Sequence, residues 1–307
     1  MTFDLAFDLA RFNLEWLESL EEVRYHGGCN DGWCAAFAVA HLLKKPDLDL
    51  RAVAYGQPLE PITKRTLFVD WCPPSEWLEE QDPELVGIID HHATAEGTIF
   101  WWRGKGGRAL YDADHSGAYL ACECLIRALS SLTAERLFVP WYVLYVEDRD
   151  LWRWSLPKSR EVNAYLATIP HTLADWAGVG SANWVSPEVV HQGTGALKAI
   201  DEYVKKTAAQ GFLASIDKHD IPIVNASYQH GSEVADELMR TTGADMAAYF
   251  FLRPDGKWQY GFRSRAAIDC SVVAKASGGG GHKNAAGCQT NGPIHEYIGP
   301  LNEGAQR

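Results

Sequence analysis

The chain has 307 residues, of which 47% are hydrophobic, and this is enough for one large core and a smaller one, so two domains are expected. A formal net charge of −12 without a basic stripe argues against a protein that grips long nucleic acid. Seven cysteines without a C-x-x-C pair, no apolar run near the roughly twenty residues of a membrane span, and an acidic first segment predict a cytoplasmic protein with free thiols.

The first half of the chain predicts a parallel sheet whose strands end in polar side chains. Three short apolar runs have the length and composition of strands, and each leads into acids or imidazoles: Val23 to His26, Leu67 to Val69 before Asp70, and Leu85 to Ile89 before Asp90, His91 and His92. In open parallel sheets, ligands bind outside the carboxyl ends of the strands. These polar side chains are therefore expected to converge on a site.

Two helices contribute to the same pattern. An apolar helix predicted from Trp33 to Leu43 follows a turn that contains Asp31, and a second, from Phe138 to Val146, leads into Asp148 and Asp150. Each acid taken singly could equally be a helix cap or a turn residue. Four element ends that all deliver Asp or His make a shared site the better interpretation.

The residue types indicate the chemistry of such a site. Carboxylates and imidazoles without matching thiolates are ligands for hard or borderline cations, Mn²⁺ and Mg²⁺ ahead of Zn²⁺. Two such ions roughly 3.5 to 4 Å apart would clamp an in-line attack on phosphorus. A shared carboxylate would bridge the two ions.

The second half of the chain predicts a smaller α/β domain. A long helix is expected to start at Pro187, run through Lys206 toward Leu213, and act as a linker. Beyond it, further elements are predicted in chain order: a strand from Ile221, a helix from Ser232 to Thr241, strands at Met246 to Leu252 and Lys257 to Arg265, and a helix from Asp269 to Ala276. The predicted organisation is a catalytic region over residues 1–186, a linker over 187–214 and a second domain over 215–307.

In this second domain, a run of four glycines, Gly278 to Gly281, precedes His282 and is predicted to be a phosphate-binding loop. Consecutive glycines disfavour regular structure, and their bare N–H groups can cradle phosphate oxygens. A helix expected from about Lys283 would add its N-terminal dipole. Arg263, on the preceding strand, could donate two parallel hydrogen bonds to a phosphate.

Taken together, these motifs resemble the DHH phosphoesterase superfamily, in the branch that joins a DHH catalytic domain to a DHH-associated domain. Asp90-His91-His92 is similar to the motif that names the family, and Gly278 to His282 with Ala285 to Gly287 is similar to the GGGH…AAG signature. The resemblance covers nearly the whole chain and includes oligoribonuclease-like members that degrade nanoRNA.

The resemblance implies a role for each matching residue. Metal ligands would be His26, Asp31, Asp70, His91 and Asp148, with Asp70 as the bridge and Asp150 as a weaker ligand. Near the substrate phosphate, His92 would be catalytic, and Asp90 would orient a neighbouring histidine. Substrate would be bound by Arg263, Gly279, Gly280, Gly281 and His282. The implied cofactor is a pair of Mn²⁺ ions, with Mg²⁺ or Co²⁺ as alternatives.

The segment from His26 to Asp31, which corresponds to the family's first motif, departs from the family pattern. Family members commonly have His, three residues, Asp, one residue and Asp, whereas this chain has four residues between His26 and Asp31 and no second Asp. Either Asp31 serves where two acids usually do, or one metal has fewer protein ligands. Cys29 and Cys34 lie nearby and are interpreted as small buried hydrophobic residues.

Three functions fit the sequence. The leading prediction is a Mn²⁺-dependent phosphodiesterase that converts short oligonucleotides or linear dinucleotides to mononucleotides. An inorganic pyrophosphatase or polyphosphatase is the second, and a weakly catalytic nucleotide-binding sensor the third. Residues 217–290 hold eight Lys or Arg against eight Asp or Glu, so the negative charge lies almost wholly elsewhere, which favours a small phosphate ester.

Overall fold

A computed structural model describes residues 11–54, 56–130, 137–265 and 267–301. It divides into two compact units, Met1–Leu197 and Lys198–Arg307. The division falls inside the helix that was expected to act as a linker. The acidic first ten residues and the last six, which enter the predicted domain ranges, lie outside the described residues.

A five-stranded sheet organises the first unit, and all its strand pairs are parallel. The strands are β1 (Glu22–His26), β2 (Asp49–Val53), β3 (Thr66–Val69), β4 (Val86–Asp90) and β5 (Arg108–Tyr111), arranged in the order β2-β1-β3-β4-β5. Strands β3 and β4 are buried along their whole length, as expected where helices cover both faces of a parallel sheet. The predicted parallel α/β fold is confirmed.

Helices connect and cover these strands. They are α1 (Leu14–Glu18), α2 (Asn30–Leu42), α3 (Ser75–Leu78), α4 (Glu96–Gly104), α5 (Gly117–Ser130), α6 (Trp141–Asp150), α7 (Ser159–Leu166), α8 (Leu173–Ser181) and α9 (Pro187–Ala208). Side chains alternate across β3, so Leu67 and Val69 join one hydrophobic cluster and Phe68 joins another. Burial on both faces keeps the strand ends in fixed positions.

The second unit has a seven-stranded sheet that is mostly antiparallel. Its strands are β6 (Phe212–Ile216), β7 (His219–Asn225), β8 (Met246–Leu252), β9 (Trp258–Ser264), β10 (Gly280–His282), β11 (Ala285–Thr290) and β12 (Glu296–Pro300), in the order β10-β11-β9-β8-β7-β6-β12. Only the β7–β8 pair is parallel among the strands described. Helices α10 (Gly231–Thr242) and α11 (Ser271–Ala276) accompany the sheet.

Two predictions for this region were wrong. Helix α9 ends at Ala208 rather than continuing to Leu213, because Phe212 begins strand β6. The glycine run was expected to be irregular and to precede a helix, but Gly280–His282 is a strand paired with β11. A hairpin ladder and close backbone packing offset the low intrinsic preference of glycine for a strand.

Among the helices described, none combines the length and the apolar character that a bilayer crossing requires.

Candidate active site

Neighbouring strands of the parallel sheet deliver the central side chains of the site. Strand β1 ends at His26, β3 is followed by Asp70, and β4 ends at Asp90 before His91 and His92. Asp70 has a left-handed backbone with φ of 56°, and its N–H donates to the carbonyl of Ile89 at 2.8 Å. This conformation is costly for a residue with a side chain, and such costs concentrate at functional sites.

Two glycines leave room for these side chains. A Cβ added to Gly117 would lie 2.6 Å from the Cβ of Asp70, and one added to Gly32 would lie 2.3 Å from the carbonyl oxygen of His26. Both positions lie in the first turn of helices that approach the strand ends, Gly32 in α2 and Gly117 in α5. The absence of a side chain therefore lets each helix pack directly against a residue of the site.

Asp70 is shared between two groups of potential ligands. Its Oδ2 lies 3.4 Å from Nδ1 of His26 and 3.4 Å from Sγ of Cys29. Its Oδ1 lies 3.2 Å from Nε2 of His91 and 3.8 Å from Nδ1 of His92. Each oxygen of one buried carboxylate therefore faces a different set of donors.

A third group joins the cluster through His91. Its Nε2 lies 3.5 Å from Oδ2 of Asp150 and 3.8 Å from Oδ2 of Asp31. Asp31 also accepts hydrogen bonds from the backbone N–H groups of Gly117 and Ala118, at 2.8 and 3.0 Å. These bonds fix the orientation of the Asp31 carboxylate at the first turn of α5.

The charges in the cluster are strongly coupled. Burial alone would lower the pKa of His91, but hydrogen bonding to Asp70 and the charges of Asp150, Asp70 and Asp31 raise it to about 10. Burial, followed by the charge of Asp70, raises the pKa of Asp31 well above its usual range, and burial is the main cause that raises the pKa of Asp150. Hydrogen bonding to His26 and His91 outweighs burial and holds the pKa of Asp70 well below its usual range.

This arrangement fits divalent cations. Three carboxylates, those of Asp31, Asp70 and Asp150, crowd around the single His91 ring, and burial together with their mutual repulsion raises the pKa values of Asp31 and Asp150. A cation among them would relieve that repulsion. Carboxylate oxygens and imidazole nitrogens are the donors that Mn²⁺ and other borderline ions take.

Asp90 holds the His92 ring in position through a contact with Nδ1. Its Oδ1 lies 2.7 Å from Nδ1 of His92 and also accepts hydrogen bonds from the backbone N–H groups of His91 and His92. The carboxylate is fully buried, whereas the His92 side chain is 22% exposed. A carboxylate that accepts a hydrogen bond from one ring nitrogen fixes the tautomer and the orientation of the ring.

Asp148 does not lie in this cluster, and Asp150 does. The carboxylate of Asp148 accepts hydrogen bonds from the hydroxyls of Ser155 and Ser159, at 2.6 and 2.5 Å, and from the N–H groups of Ser155 and Leu156. The Asp148 carboxylate therefore anchors the segment that follows α6. This corrects the sequence-based order, which placed Asp148 ahead of Asp150 as a ligand.

Cys29 is a member of the site that the sequence did not reveal. Its Sγ lies 3.7 Å from Nδ1 of His26 and completes a donor group with Asp70. Its position three residues after His26, inside the motif that lacks a second Asp, was the signal that could have identified it. Burial, with the charges of Asp70 and Asp31, raises the pKa of its thiol well above the usual range.

Comparison with known proteins agrees with the two-unit fold. Residues 223–296 match the family model described as the DHHA1 domain. The fold is similar to that of a solved DHH domain from a member of the s1p family of ribosomal proteins, with a TM-score of 0.55, 12% identity, and coverage of 93% of this chain and 87% of that one. Residues 223–296 therefore form a DHHA1 domain.

Two other solved structures are similar at lower scores. A pGpG-specific phosphodiesterase, PggH from Vibrio cholerae, has a TM-score of 0.48 and 12% identity over 88% of this chain and 93% of that chain. RecJ from Thermus thermophilus in complex with Mn²⁺ has a TM-score of 0.49 and 17% identity over 93% of this chain and 52% of that chain. No curated protein matches the sequence.

The DHHA1 domain holds the remaining predicted residues in one hairpin and the strand beside it. Arg263 on β9 donates to the Ser232 hydroxyl at 2.7 Å and to the carbonyl of Phe262 at 2.7 Å, and its guanidinium lies 5.9 Å from the ring centroid of Tyr249. Strand β11 separates β9 from β10, which contains Gly280, Gly281 and His282. Gly279 directly precedes β10.

Proposed function

We propose that this chain is a metal-dependent phosphodiesterase of the DHH superfamily that hydrolyses short oligonucleotides or linear dinucleotides to mononucleotides. The observation that carries the proposal is the placement of Asp70, whose two oxygens face two different donor groups. A carboxylate shared in this way suits a pair of cations. Paired cations can clamp both the attacking and the leaving oxygen of an in-line displacement on phosphorus.

The donor groups divide the protein ligands between the two cations. His26 and Asp70 would hold one, and Asp31, His91 and Asp150 would hold the other together with Asp70. When bound, such ions lower the pKa of water toward neutrality and polarise the phosphoryl group. The rigid carboxyl ends of β1, β3 and β4 keep the ligands in place, because these strands are buried in the sheet.

In this proposal His92 acts on the substrate. Asp90 fixes its ring through the 2.7 Å contact at Nδ1, and the ring lies beside His91 with centroids 4.5 Å apart. A positioned imidazole can stabilise negative charge as it develops on phosphoryl oxygens. Asp90 acts through His92 and is therefore a positioning residue.

Within the DHHA1 domain, we assign binding of a terminal phosphate to Arg263, the Gly279–Gly281 segment and His282. A guanidinium held by Ser232 and the Phe262 carbonyl has a defined orientation, which favours fork-like recognition of an anion. Strand β10 is at the edge of the sheet and pairs with β11 alone among the described strands, and an edge strand presents N–H groups that suit an anion. The N–H of Gly279 donates to the carbonyl of Ala274, so this residue would contribute close backbone approach rather than a hydrogen bond.

A substrate panel with purified protein tests the proposal. It includes RNA and DNA of two to about ten nucleotides, cyclic dinucleotides, adenosine bisphosphate and pyrophosphate, each with Mn²⁺, Mg²⁺ or Co²⁺. Mononucleotides released from short linear substrates are the expected result. Hydrolysis of pyrophosphate without hydrolysis of dinucleotides would show a pyrophosphatase instead, and tight nucleotide binding without turnover would show a sensor.

Removing a shared ligand tests the metal centre itself. We expect Asp70→Ala and His91→Ala each to lower kcat in Mn²⁺ by more than about 100-fold, because each removes a donor from two groups. The matched control is Asp47→Ala, an exposed acid of the same unit that belongs to none of the donor groups. Circular dichroism should show an unchanged fold in all three variants, and full activity in either cluster variant would refute a two-metal mechanism.

A further inference from the structure

We propose that Cys29 is a ligand in the His26–Asp70 half of the centre, which makes that half a nitrogen, sulfur and oxygen site with a preference for Co²⁺ or Zn²⁺ over Mg²⁺. The inference rests on the proposed metal-dependent function and deepens it. It concerns which ion this particular chain selects. A soft thiolate shifts selectivity toward Zn²⁺-like ions, whereas an all-oxygen set favours Mg²⁺.

The separations between the three donor atoms match the face of a tetrahedron. The distances are 3.4 Å for Nδ1 of His26 to Oδ2 of Asp70, 3.4 Å for Sγ of Cys29 to Oδ2 of Asp70, and 3.7 Å for Sγ to Nδ1. Tetrahedral bonds of about 2.3 Å to sulfur and about 2.0 to 2.1 Å to nitrogen and oxygen place the donors about 3.3 to 3.6 Å apart. Adjacent ligands of an octahedral Mg²⁺ would lie only about 2.9 Å apart.

The loop holds the sulfur firmly at this vertex. Cys29 is the N-cap of α2, and its Sγ accepts a hydrogen bond from the N–H of Gly32 at 3.3 Å. Gly28, with φ of 86°, lies in the turn between β1 and α2. The thiol also donates to Oδ2 of Asp70 at 3.4 Å, so it already points at the carboxylate with which it would share a cation, and a thiol that coordinates a cation is deprotonated outright.

The position of Cys29 differs from that of every other cysteine in the chain. The other six are buried, and none of them belongs to a donor group among the residues described. Cys29 is partly exposed and stands in the segment where the sequence lacks the second acid of the family pattern. The thiol therefore supplies the third donor that the first motif otherwise lacks.

Helix capping is the competing explanation, and the chemistry of serine separates the two. Serine caps a helix at least as well as cysteine, so Cys29→Ser keeps the cap while it removes the soft donor. Cys122→Ala is the matched control, since Cys122 is a buried thiol of the same unit, on α5, that joins no donor group. Thermal melts of both variants check that the fold is retained.

The experiment is a titration of reduced, metal-free protein with Co²⁺, followed by absorption spectroscopy and calorimetry. We expect a thiolate-to-cobalt charge-transfer band in the wild type and in Cys122→Ala, and its loss in Cys29→Ser together with at least about tenfold weaker Co²⁺ binding at one site. Mg²⁺ affinity should change far less. Cys29→Asp should abolish the band and shift the preference toward Mn²⁺.

The outcomes separate this inference from the function on which it rests. Co²⁺ that binds without a charge-transfer band, or with a band that persists in Cys29→Ser, would refute thiolate ligation and leave the metal centre standing. A wild type that binds none of the three ions Co²⁺, Mn²⁺ and Zn²⁺ would refute the metal centre itself. Activity is not needed for any of these readouts.

Discussion

At the residue scale, Asp148 and Asp150 have different tasks although they are two positions apart on α6. Asp148 is buried and accepts four hydrogen bonds from the loop that follows, whereas Asp150 faces His91. We expect Asp148→Asn to lower the free energy of unfolding by about 2 to 3 kcal/mol, because hydrogen bonds to a charged group are lost. Asp150→Asn should instead weaken metal binding and leave the melting temperature nearly unchanged.

Calorimetric metal titrations and thermal melts of both variants provide the measurement. The pH dependence adds a check, because hydrogen bonds from Ser155 and Ser159 outweigh burial and lower the pKa of Asp148. A lowered folded-state pKa gives stability that is fully present above the ordinary Asp pKa of about 3.9 and is lost as the pH falls through the folded-state value. The stability gap between wild type and Asp148→Asn should therefore close in strong acid.

The sequence predicted most of the residues that the structure brings together, but it could not rank these two acids. Asp70 and His91 were predictable because both directly follow buried strands, whose carboxyl ends meet at one edge of a parallel sheet. Residues two apart on a helix point about 200° apart, so only one of Asp148 and Asp150 can face the cluster. The rotational phase of α6 depends on tertiary packing, which the sequence pattern did not supply.

At the element scale, the glycines of the DHHA1 hairpin have a structural task in addition to the proposed anion binding. Gly281 has φ of 133°, and an added Cβ would lie 2.6 Å from both the carbonyl oxygen of Ala285 and the Cα of Ala286. We expect Gly281→Ala to destabilise the protein by about 1 to 3 kcal/mol, the cost of such a backbone for a residue with a side chain. Gly292→Ala, where nothing lies within 4 Å, is the control.

Chemical denaturation followed by circular dichroism measures this difference. Equal stabilities of the two variants would contradict the close packing of the β10–β11 hairpin. The sequence-based prediction of an irregular loop failed here because it weighed the intrinsic cost of glycine alone. The long-range ladder that pairs Gly280 with Gly287 and His282 with Ala285 decides the local structure.

Two tryptophans in the segment after α6 have strained backbone conformations, and an aromatic ring there suits stacking on a nucleobase. Trp152 and Trp154 have φ of 54° and 50°, and their rings pack edge to face with centroids 5.2 Å apart. Trp152 is 39% exposed and lies two residues after Asp150. Bulky residues rarely adopt such a backbone, and here the strained residues place an aromatic surface close in sequence to Asp150.

We therefore expect Trp152→Ala to raise the KM for a dinucleotide about tenfold, the loss of one stacking contact, with a smaller effect on kcat. Trp152→Phe should retain most of the affinity. Steady-state kinetics, together with quenching of tryptophan fluorescence by the substrate, provide the readout. A KM that is equally affected for pyrophosphate, which has no base, would point to a structural role for Trp152.

At the scale of the whole molecule, the charge distribution leads us to expect a small substrate. The formal net charge is −12, while residues 217–290 are balanced at eight basic and eight acidic residues. A longer strand brings more phosphates to a protein that has few cations to spare, and each contact to a single strand adds about −0.7 to the slope of log affinity against log salt. We expect a dinucleotide to show a slope of about −1.4 or shallower, and a decanucleotide to gain no affinity over it.

Measuring KM for both substrates between roughly 50 and 200 mM salt tests this expectation. If Arg263 contacts a phosphate, Arg263→Ala should weaken binding and make the slope shallower by about 0.7, since one contact is removed. Lys218→Ala, in the turn between β6 and β7, provides a matched loss of one positive charge in the same unit. A steep slope with tighter binding of the decanucleotide would instead require a basic track for single strands, and it would assign the protein to the processing of long nucleic acid.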